Sequence, residues 1–277
     1  MNSNKISIVI PVYNEGKNIE ILYKSLITIL YKEKQNNYEI IFVNDGSKDN
    51  SWEIIKNLAQ INNHIKAINF NRNFGHQIAL TAGYHKARGD AIISMDADMQ
   101  HPPEVIPAMI KAWLQGFDIV YVKNIQRKDS FLKKITAIGY YKLMEIISNI
   151  KTPRNVADFR LIDKKVLSYI NQSQEKARYL RGMVAWTGFN HTFIHVKFAK
   201  RFSGTTGYTW SKMFKLALDG MTGFSTSPFR LAAYFGCFIT TSGLIMLNYL
   251  FYNMLFHSVH YQLFTWLVVI IYIFIGI

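Results

Sequence analysis

The sequence predicts an α/β protein: a mainly parallel sheet covered by helices on both faces, followed by a membrane-spanning helical hairpin. Three observations carry this prediction. Residues 5–122 alternate short β-branched runs with stretches of helical apolar spacing. The strand-like runs are almost continuously apolar, as strands buried on both faces must be. Residues 231–277 contain no Asp, Glu, Lys or Arg.

In chain order, Lys5–Pro11 (KISIVIP) is the first strand, ended by its proline. Asn18–Lys32 places Ile21, Leu22, Leu26, Ile29 and Leu30 at helical intervals. Tyr38–Val43 is a second strand, closed by the turn Asn44-Asp45-Gly46-Ser47. Ser51–Ile61 reads as helix, Ile65–Phe70 as strand and Gln77–Ala87 as helix. Ala91–Met95 is a fourth strand, Pro103–Gln115 a helix and Asp118–Val122 a fifth strand. Beyond it, Ser130–Ile150 and Tyr208–Phe224 carry apolar residues on one helical face and lysines on another. Both fit interfacial helices, and both fit helices packed on the preceding domain.

Leu231–Phe256 is an apolar run of 26 residues, and a spanning helix needs about 20. A soluble core helix of that length would normally show a charged face. His257–Gln262 reads as a short loop, and Leu263–Ile277 is apolar again for 15 residues, below the usual spanning length. The second span is therefore expected to be truncated or to enter the bilayer without crossing. Arg230, Lys215 and Lys212 precede the first span, so residues 1–230 are expected on the cytoplasmic side of the plasma (inner) membrane. No secretory signal is read in the opening residues. The single cysteine, Cys237, excludes an internal disulfide framework and is expected to pack.

Charge is distributed as unevenly as hydropathy. Residues 1–120 hold 12 basic and 12 acidic residues, whereas residues 121–230 hold 20 and 6, which accounts for the whole net charge of +14. At 49% hydrophobic and 14% aromatic the chain can bury a core, which excludes disorder. A basic region beside a charge-free apolar tail points to an anionic membrane surface rather than to nucleic acid.

In open parallel sheets, ligands bind beyond the carboxyl ends of the strands. The loops there collect Asn14, Glu15, Asp45, Arg72, Asn73, Asp96, Asp98 and Gln100. Neither GxGxxG nor GxxxxGK[ST] occurs, which argues against dinucleotide dehydrogenases and P-loop NTPases. Asp96-Ala97-Asp98 follows a buried strand directly. Paired carboxylates there, with Gln100 beside them, suit Mg²⁺ or Mn²⁺ bound together with a substrate's phosphates, although a solvated turn can carry the same residues. Asp45 fits a turn former and, at a strand's carboxyl end, a nucleobase contact. His191 and His195 lack carboxylate or thiol neighbours in sequence and are read as surface or core residues, not metal ligands.

The motifs PVYNE (11–15), VNDGS (43–47), RNFGHQIAL (72–80) and DADMQHPPE (96–104) resemble glycosyltransferase family 2. DFRLID (158–163), YLRGMVAWTGF (179–189) and RFSGTTGYTWSKMFKLALDGMTGFS (201–225) narrow the resemblance to the polyprenyl-phosphate glycosyltransferases, those that act on bactoprenol and dolichyl phosphates. The resemblance covers essentially the whole chain. It implies a GT-A catalytic domain over 1–206, with an acceptor- and membrane-facing part at 121–206. An amphipathic juxtamembrane region at 207–230 and a transmembrane hairpin at 231–277 would follow.

The same resemblance implies inverting transfer of one sugar from a nucleotide-sugar, UDP-glucose or UDP-N-acetylglucosamine, to polyprenyl (undecaprenyl) phosphate for cell-envelope glycan modification. Pro11, Tyr13, Glu15, Asp45, Arg72 and Asp96 would bind the donor. Asp96, Asp98 and Gln100 would hold the metal, and Asp158, Arg160 and Asp98 would be catalytic. Arg127 and Arg201 would meet the acceptor phosphate. Two positions depart from the family pattern: His76 and Gly207 stand where lysine is common, so a phosphate contact is absent or comes from elsewhere. An acceptor phosphate with a second pKa near 6 is already anionic at neutral pH, so Asp158 is expected to orient rather than to serve as an obligatory base.

The alternatives are a GDP-mannose-dependent mannose synthase, a processive polysaccharide synthase and a non-catalytic membrane scaffold. The processive enzyme would show Q-x-x-R-W and more spans; the scaffold would have lost part of the Asp45, Asp96, Asp98, Asp158 and Arg201 set. A homo-oligomer is compatible with the sequence.

Overall fold

The computed structural model describes residues 4–33, 35, 37–125, 156–173, 179–198, 227–257 and 260–276. Seven strands among them form one sheet: β1 (Ile6–Val12), β2 (Tyr38–Asn44), β3 (Ile65–Asn69), β4 (Ala91–Ser94), β5 (Ile119–Asn124), β6 (Val156–Asp163) and β7 (His191–Val196). Their order is β3-β2-β1-β4-β6-β5-β7. Every neighbouring pair is parallel except those made by β6, which runs antiparallel to both β4 and β5.

The first five strands lie where the sequence predicts, within two residues. All of β1 and β4, and all of β2 after Tyr38, are buried, because helices cover both faces. Helix α1 (Gly16–Lys32) buries Ile19, Leu22, Leu26 and Leu30, one stripe at three- and four-residue steps. Each such side chain contributes about 1.5–3 kcal/mol on burial. Helices α2 (Ser51–Ile61) and α3 (His76–Lys86) follow as expected. The helix expected over Pro103–Gln115 is divided. A 3₁₀ turn (Pro103–Val105) precedes α4 (Ile106–Leu114), since Pro107 has no N–H with which to continue a longer ladder. Helices α5 (Lys164–Gln172) and α6 (Leu180–Trp186) complete this part.

Two strands were not legible as strands. Val156–Asp163 is read as a motif, and His191–Val196 as two stray histidines. On β7, both histidines are exposed surface residues, as expected of them. Arg127, Arg201, Gly207 and the amphipathic segments 130–150 and 208–224 lie outside the described residues.

The chain divides into two units, Met1–Gly223 and Phe224–Ile277. In the second, α7 (Ser227–Phe256) has 30 residues and α8 (Leu263–Gly276) has 14. Residues Phe229–Phe256 make one helix long and apolar enough to cross a membrane by length and composition. Ser242 Oγ donates to Tyr272 Oη at 3.2 Å, and the Phe251 and Trp266 rings lie 4.9 Å apart, joining the two helices. Cys237 does not pack as expected; it is exposed on α7. Gly236 and Gly243 face α8, and one residue along a helix turns about 100° away from that side.

Candidate active site

The chain steps outward from β1 to β2 and β3, then returns to place β4 on the other side. The carboxyl ends of β1 and β4 therefore flank a topological switch point, where such sheets hold ligands. Because β6 is antiparallel, its beginning rather than its end reaches this edge. Ser94 at the end of β4 pairs with Arg160, so Asp158 lies beside the loop that follows β4. Ser94 Oγ donates to the Asp158 carbonyl at 2.5 Å and accepts from Tyr84 Oη at 3.0 Å, fixing the backbone there.

The loops after β1 and β2 are laced together. The Asn14 N–H donates to Ser47 Oγ at 2.9 Å, and the Lys48 N–H donates back to Asn14 Oδ1 at 2.8 Å. The Glu15 N–H donates to Ser51 Oγ at 3.0 Å. Tyr13 is exposed at the mouth, whereas Pro11 is buried within β1 opposite Val43.

Asp45 joins a third loop to these two. Its Oδ1 accepts from the Phe74 N–H at 2.7 Å and its Oδ2 from the Gly75 N–H at 2.9 Å. The carboxylate thus has a structural task, holding the RNFG segment. Burial outweighs these two N–H groups and pushes its pKa upward. Gly46 has φ +65°, and a Cβ there would lie 2.3 Å from the Arg72 carbonyl carbon, so only glycine lets the loops approach. Arg72 is exposed and rests on the Phe74 ring at 4.2 Å.

The DxD loop sits opposite. Asp98 is buried, its Oδ1 accepting from the Gln100 N–H at 3.1 Å around a left-handed Met99. Asp96 is half-buried between two histidines. His76 Nε2 is 3.5 Å from its Oδ1, and His101 Nε2 is 3.7 Å from its Oδ2. His101 Nδ1 accepts from the Asp96 N–H at 3.1 Å, which leaves the proton of the neutral ring on the Nε2 that faces the carboxylate. Phe159 stacks on that imidazole at 5.0 Å. Asp96, Asp98 and Gln100 together offer two carboxylates and an amide oxygen, a hard-oxygen set that fits Mg²⁺ or Mn²⁺ completed by substrate phosphates and water. No group of three His, Cys, Asp or Glu side chains able to hold an ion by themselves occurs among the described residues.

Asp158 is the centre of the charge arrangement. It is 3% exposed and is gripped by four side chains from three elements. Arg181 of α6 meets it through two bonds, Nε to Oδ1 at 3.1 Å and Nη2 to Oδ2 at 3.0 Å. The wholly buried Arg160 gives its Nη2 to Oδ1. His76 Nε2 lies 3.4 Å from Oδ2, and Gln77 Nε2 donates to the same oxygen at 3.4 Å. Burial opposes the carboxylate, yet Arg181, His76 and Arg160 outweigh it and hold its pKa well below the ordinary value. His76 shows the converse. Burial disfavours its imidazolium, but Asp96 and Asp158 prevail and raise its pKa.

The structure thus gathers Asp96, Asp98, Gln100, Asp158 and Arg160 at one edge, with Tyr13, Glu15, Asp45 and Arg72 on the adjoining loops. Arg181, Gln77 and His101 were not singled out from sequence, and His76 was noted only as a departure. Arg181 stands inside the YLRGM segment, but nothing local to it names its partner 23 residues earlier.

Residues 7–170 match the profile described as Glycosyl transferase family 2. The chain belongs to that family. Among relatives, it is 42% identical over 272 residues to "Uncharacterized glycosyltransferase YkcC" of Bacillus subtilis (strain 168), covering 98% of this chain and 84% of that one. It is 41% identical to "Prophage bactoprenol glucosyl transferase homolog" of Escherichia coli (strain K12), covering 87% and 79%. With "Bactoprenol glucosyl transferase" of Shigella phage SfV it shares 40% identity, covering 86% and 77%. Among solved structures, glucosyl-3-phosphoglycerate synthase of Mycobacterium tuberculosis with UDP superposes with a TM-score of 0.53 at 13% identity, covering 80% of this chain and 79% of that one. A second structure of that enzyme contains Mn²⁺, UDP-glucose and glycerol 3-phosphate and gives 0.50 at 13% identity, covering 78% and 77%. At such identity the likeness is one of fold, and it agrees with the GT-A expectation. This family 2 member is a glycosyltransferase.

Proposed function

We propose that the protein is a membrane-anchored, inverting glycosyltransferase that moves one sugar from a nucleotide-sugar to polyprenyl phosphate. The donor is read as UDP-glucose or UDP-N-acetylglucosamine. The observation that carries this reading is the state of Asp158. A carboxylate held by two arginines, a histidine and a glutamine is a poor proton acceptor, so the acceptor must arrive already anionic. A phosphate monoester does. The relatives named for bactoprenol supply the lipid.

In this reading an acceptor phosphate oxygen forms a bond to the anomeric carbon as the bond to the diphosphate breaks, with inversion. No proton need be transferred. Arg181 and His76 would supply a cationic surround for the two phosphates on either side of the sugar. Asp98 with Gln100, and Asp96 beside them, would hold a divalent cation, which when bound supplies charge stabilisation to the departing diphosphate. Tyr13, Glu15 and the loops braced by Asp45 would accommodate the nucleoside, and Pro11 would set the loop's exit from β1. Arg127 and Arg201 remain assigned to the acceptor phosphate. The long apolar helix α7 anchors the chain in the plasma membrane with the catalytic unit cytoplasmic, consistent with the basic residues before it.

The test is a donor screen with undecaprenyl phosphate and the full chain in detergent, detecting the lipid product by mass, with and without chelator. A hexosyl or N-acetylhexosaminyl phospholipid that disappears in EDTA and returns with Mg²⁺ or Mn²⁺ is the expected result. Donor turnover with transfer only to non-lipid alcohols would overturn the acceptor.

A further inference from the structure

Gln77 takes no part in the chemistry just described, yet its amide ties together the parts that do. It stands at the second residue of α3, directly after His76. Its Oε1 accepts from the Leu180 N–H at 3.1 Å, at the first turn of α6. Its Nε2 faces Asp158 Oδ2 at 3.4 Å. The orientation of the amide is fixed by this pairing: turned over, it would set an oxygen against a carboxylate and an NH₂ against an N–H. The next residue after Leu180 is Arg181, whose guanidinium clamps both oxygens of the same carboxylate. One side chain therefore spans α3, β6 and α6, three elements separated by 81 and 103 residues of sequence from it to its two partners.

We infer that Gln77 is a positioning residue for the transfer reaction, setting the placement of Arg181 against Asp158 by holding the start of α6. The inference rests on the reading of Asp158 as part of the reaction centre. α6 has 7 residues and buries Leu180, Met183 and Val184, and the Gln77 amide is a directional polar tie on its first N–H. Without the amide, the Leu180 N–H loses its acceptor and the arginine that depends on that turn shifts with it. Displacements of about 1 Å at a reacting centre suffice for large rate losses.

A double-mutant cycle on the full chain in detergent tests this, with Gln77→Leu, Arg181→Ala, the pair together, and Gln77→Glu. Transfer rate, donor affinity at equilibrium and melting temperature are read for each. Gln77→Leu should lower kcat/KM about tenfold, the loss typical of one hydrogen bond to a charged group, with donor affinity within about twofold. In the Arg181→Ala background the same change should cost less than about twofold, because its effect runs through that arginine. Gln77→Glu keeps an acceptor for Leu180 but sets a carboxylate oxygen toward Asp158, and should be at least as damaging as leucine. Full multiplication of the two losses, a fully active Gln77→Glu, or a matching loss of donor affinity would each overturn the positioning role. Should the wild type fail with any lipid phosphate, the proposed acceptor falls. The same cycle is then read on slow hydrolysis of the UDP-sugar to UDP and free sugar, where non-additivity sustains the role of Gln77 and additivity ends it.

Discussion

At the scale of single residues, two buried carboxylates have opposite duties. Asp158 is held ionised by cations, and Asp158→Asn replaces a charge by an amide that must point its NH₂ at arginine or histidine. The change strands the buried Arg160, and removing one partner of a buried pair costs about 3–5 kcal/mol. Thermal unfolding of the detergent-solubilised chain should show a marked drop for Asn and Ala alike, and transfer should fall in both. With wild type, the rate should rise with pH as the acceptor phosphate titrates near 6, since Asp158 itself stays ionised across that range. Glu39 works far from the site, at the amino ends of the strands. It accepts from Ser7 Oγ at 2.6 Å and the Arg88 N–H at 2.6 Å and pairs with Lys66 and with Lys5, the latter at 3.0 Å. Burial opposes its ionisation, but these partners outweigh it and lower its pKa to about 2 from 4.5. A depressed carboxylate stabilises the fold fully above its unfolded pKa and loses that contribution as pH falls through the folded value. The stability gap between wild type and Glu39→Gln, about 3 kcal/mol near neutral pH, should close between about pH 4.5 and 2, as read by denaturant titration at each pH. The DxD pair and the DFR aspartate were readable in the sequence because each lies in a local motif. Arg160 is legible in the same DFR motif, but the rest of the clamp on Asp158 is not, because His76, Gln77 and Arg181 converge on it only after the sheet closes.

At the scale of elements, the loops after β1, β2 and β3 behave as one braced unit. Gly46 is its tightest point. Gly46→Ala meets both a left-handed φ of +65° and the Arg72 backbone at 2.3 Å, which is backbone and cannot swing aside. The RNFG loop must therefore move off Asp45. Donor affinity should drop more than about tenfold in equilibrium titration while the melting temperature changes by only a few degrees, since core strands are untouched. The same logic explains what the sequence reveals about elements. β1 to β5 and α1 to α4 show their periodicities within short windows, and a buried parallel strand needs only an apolar run. Whether β6 inserts between β4 and β5, and in which direction, depends on pairing across the sheet. DFRLID mixes Asp and Arg into an apolar run because those two side chains serve the site and each other, which masks the strand.

At the scale of the whole molecule, electrostatic and hydrophobic attachment should be separable. The full chain should remain in the membrane fraction through both high salt and alkaline carbonate, because α7 carries an uncharged span. A chain ending after residue 226 keeps 19 of the 20 basic residues of 121–230, losing only Arg230, and should bind anionic vesicles at low salt, then release as salt screens that attraction. Release of the full chain by salt alone would show that α7 does not span. The antiparallel insertion of β6 also has a consequence for biosynthesis. Until Asp163 has been made, β5 lacks the strand that joins it to β4, and β4 presents an open row of backbone N–H and C=O groups. At about 5–20 residues per second the ribosome needs about 2–8 s to pass from Asn124 to Asp163. During those seconds the nascent chain is a half-sheet with one adhesive edge, and in that interval a chaperone, or a neighbouring nascent copy, has its best access to the protein.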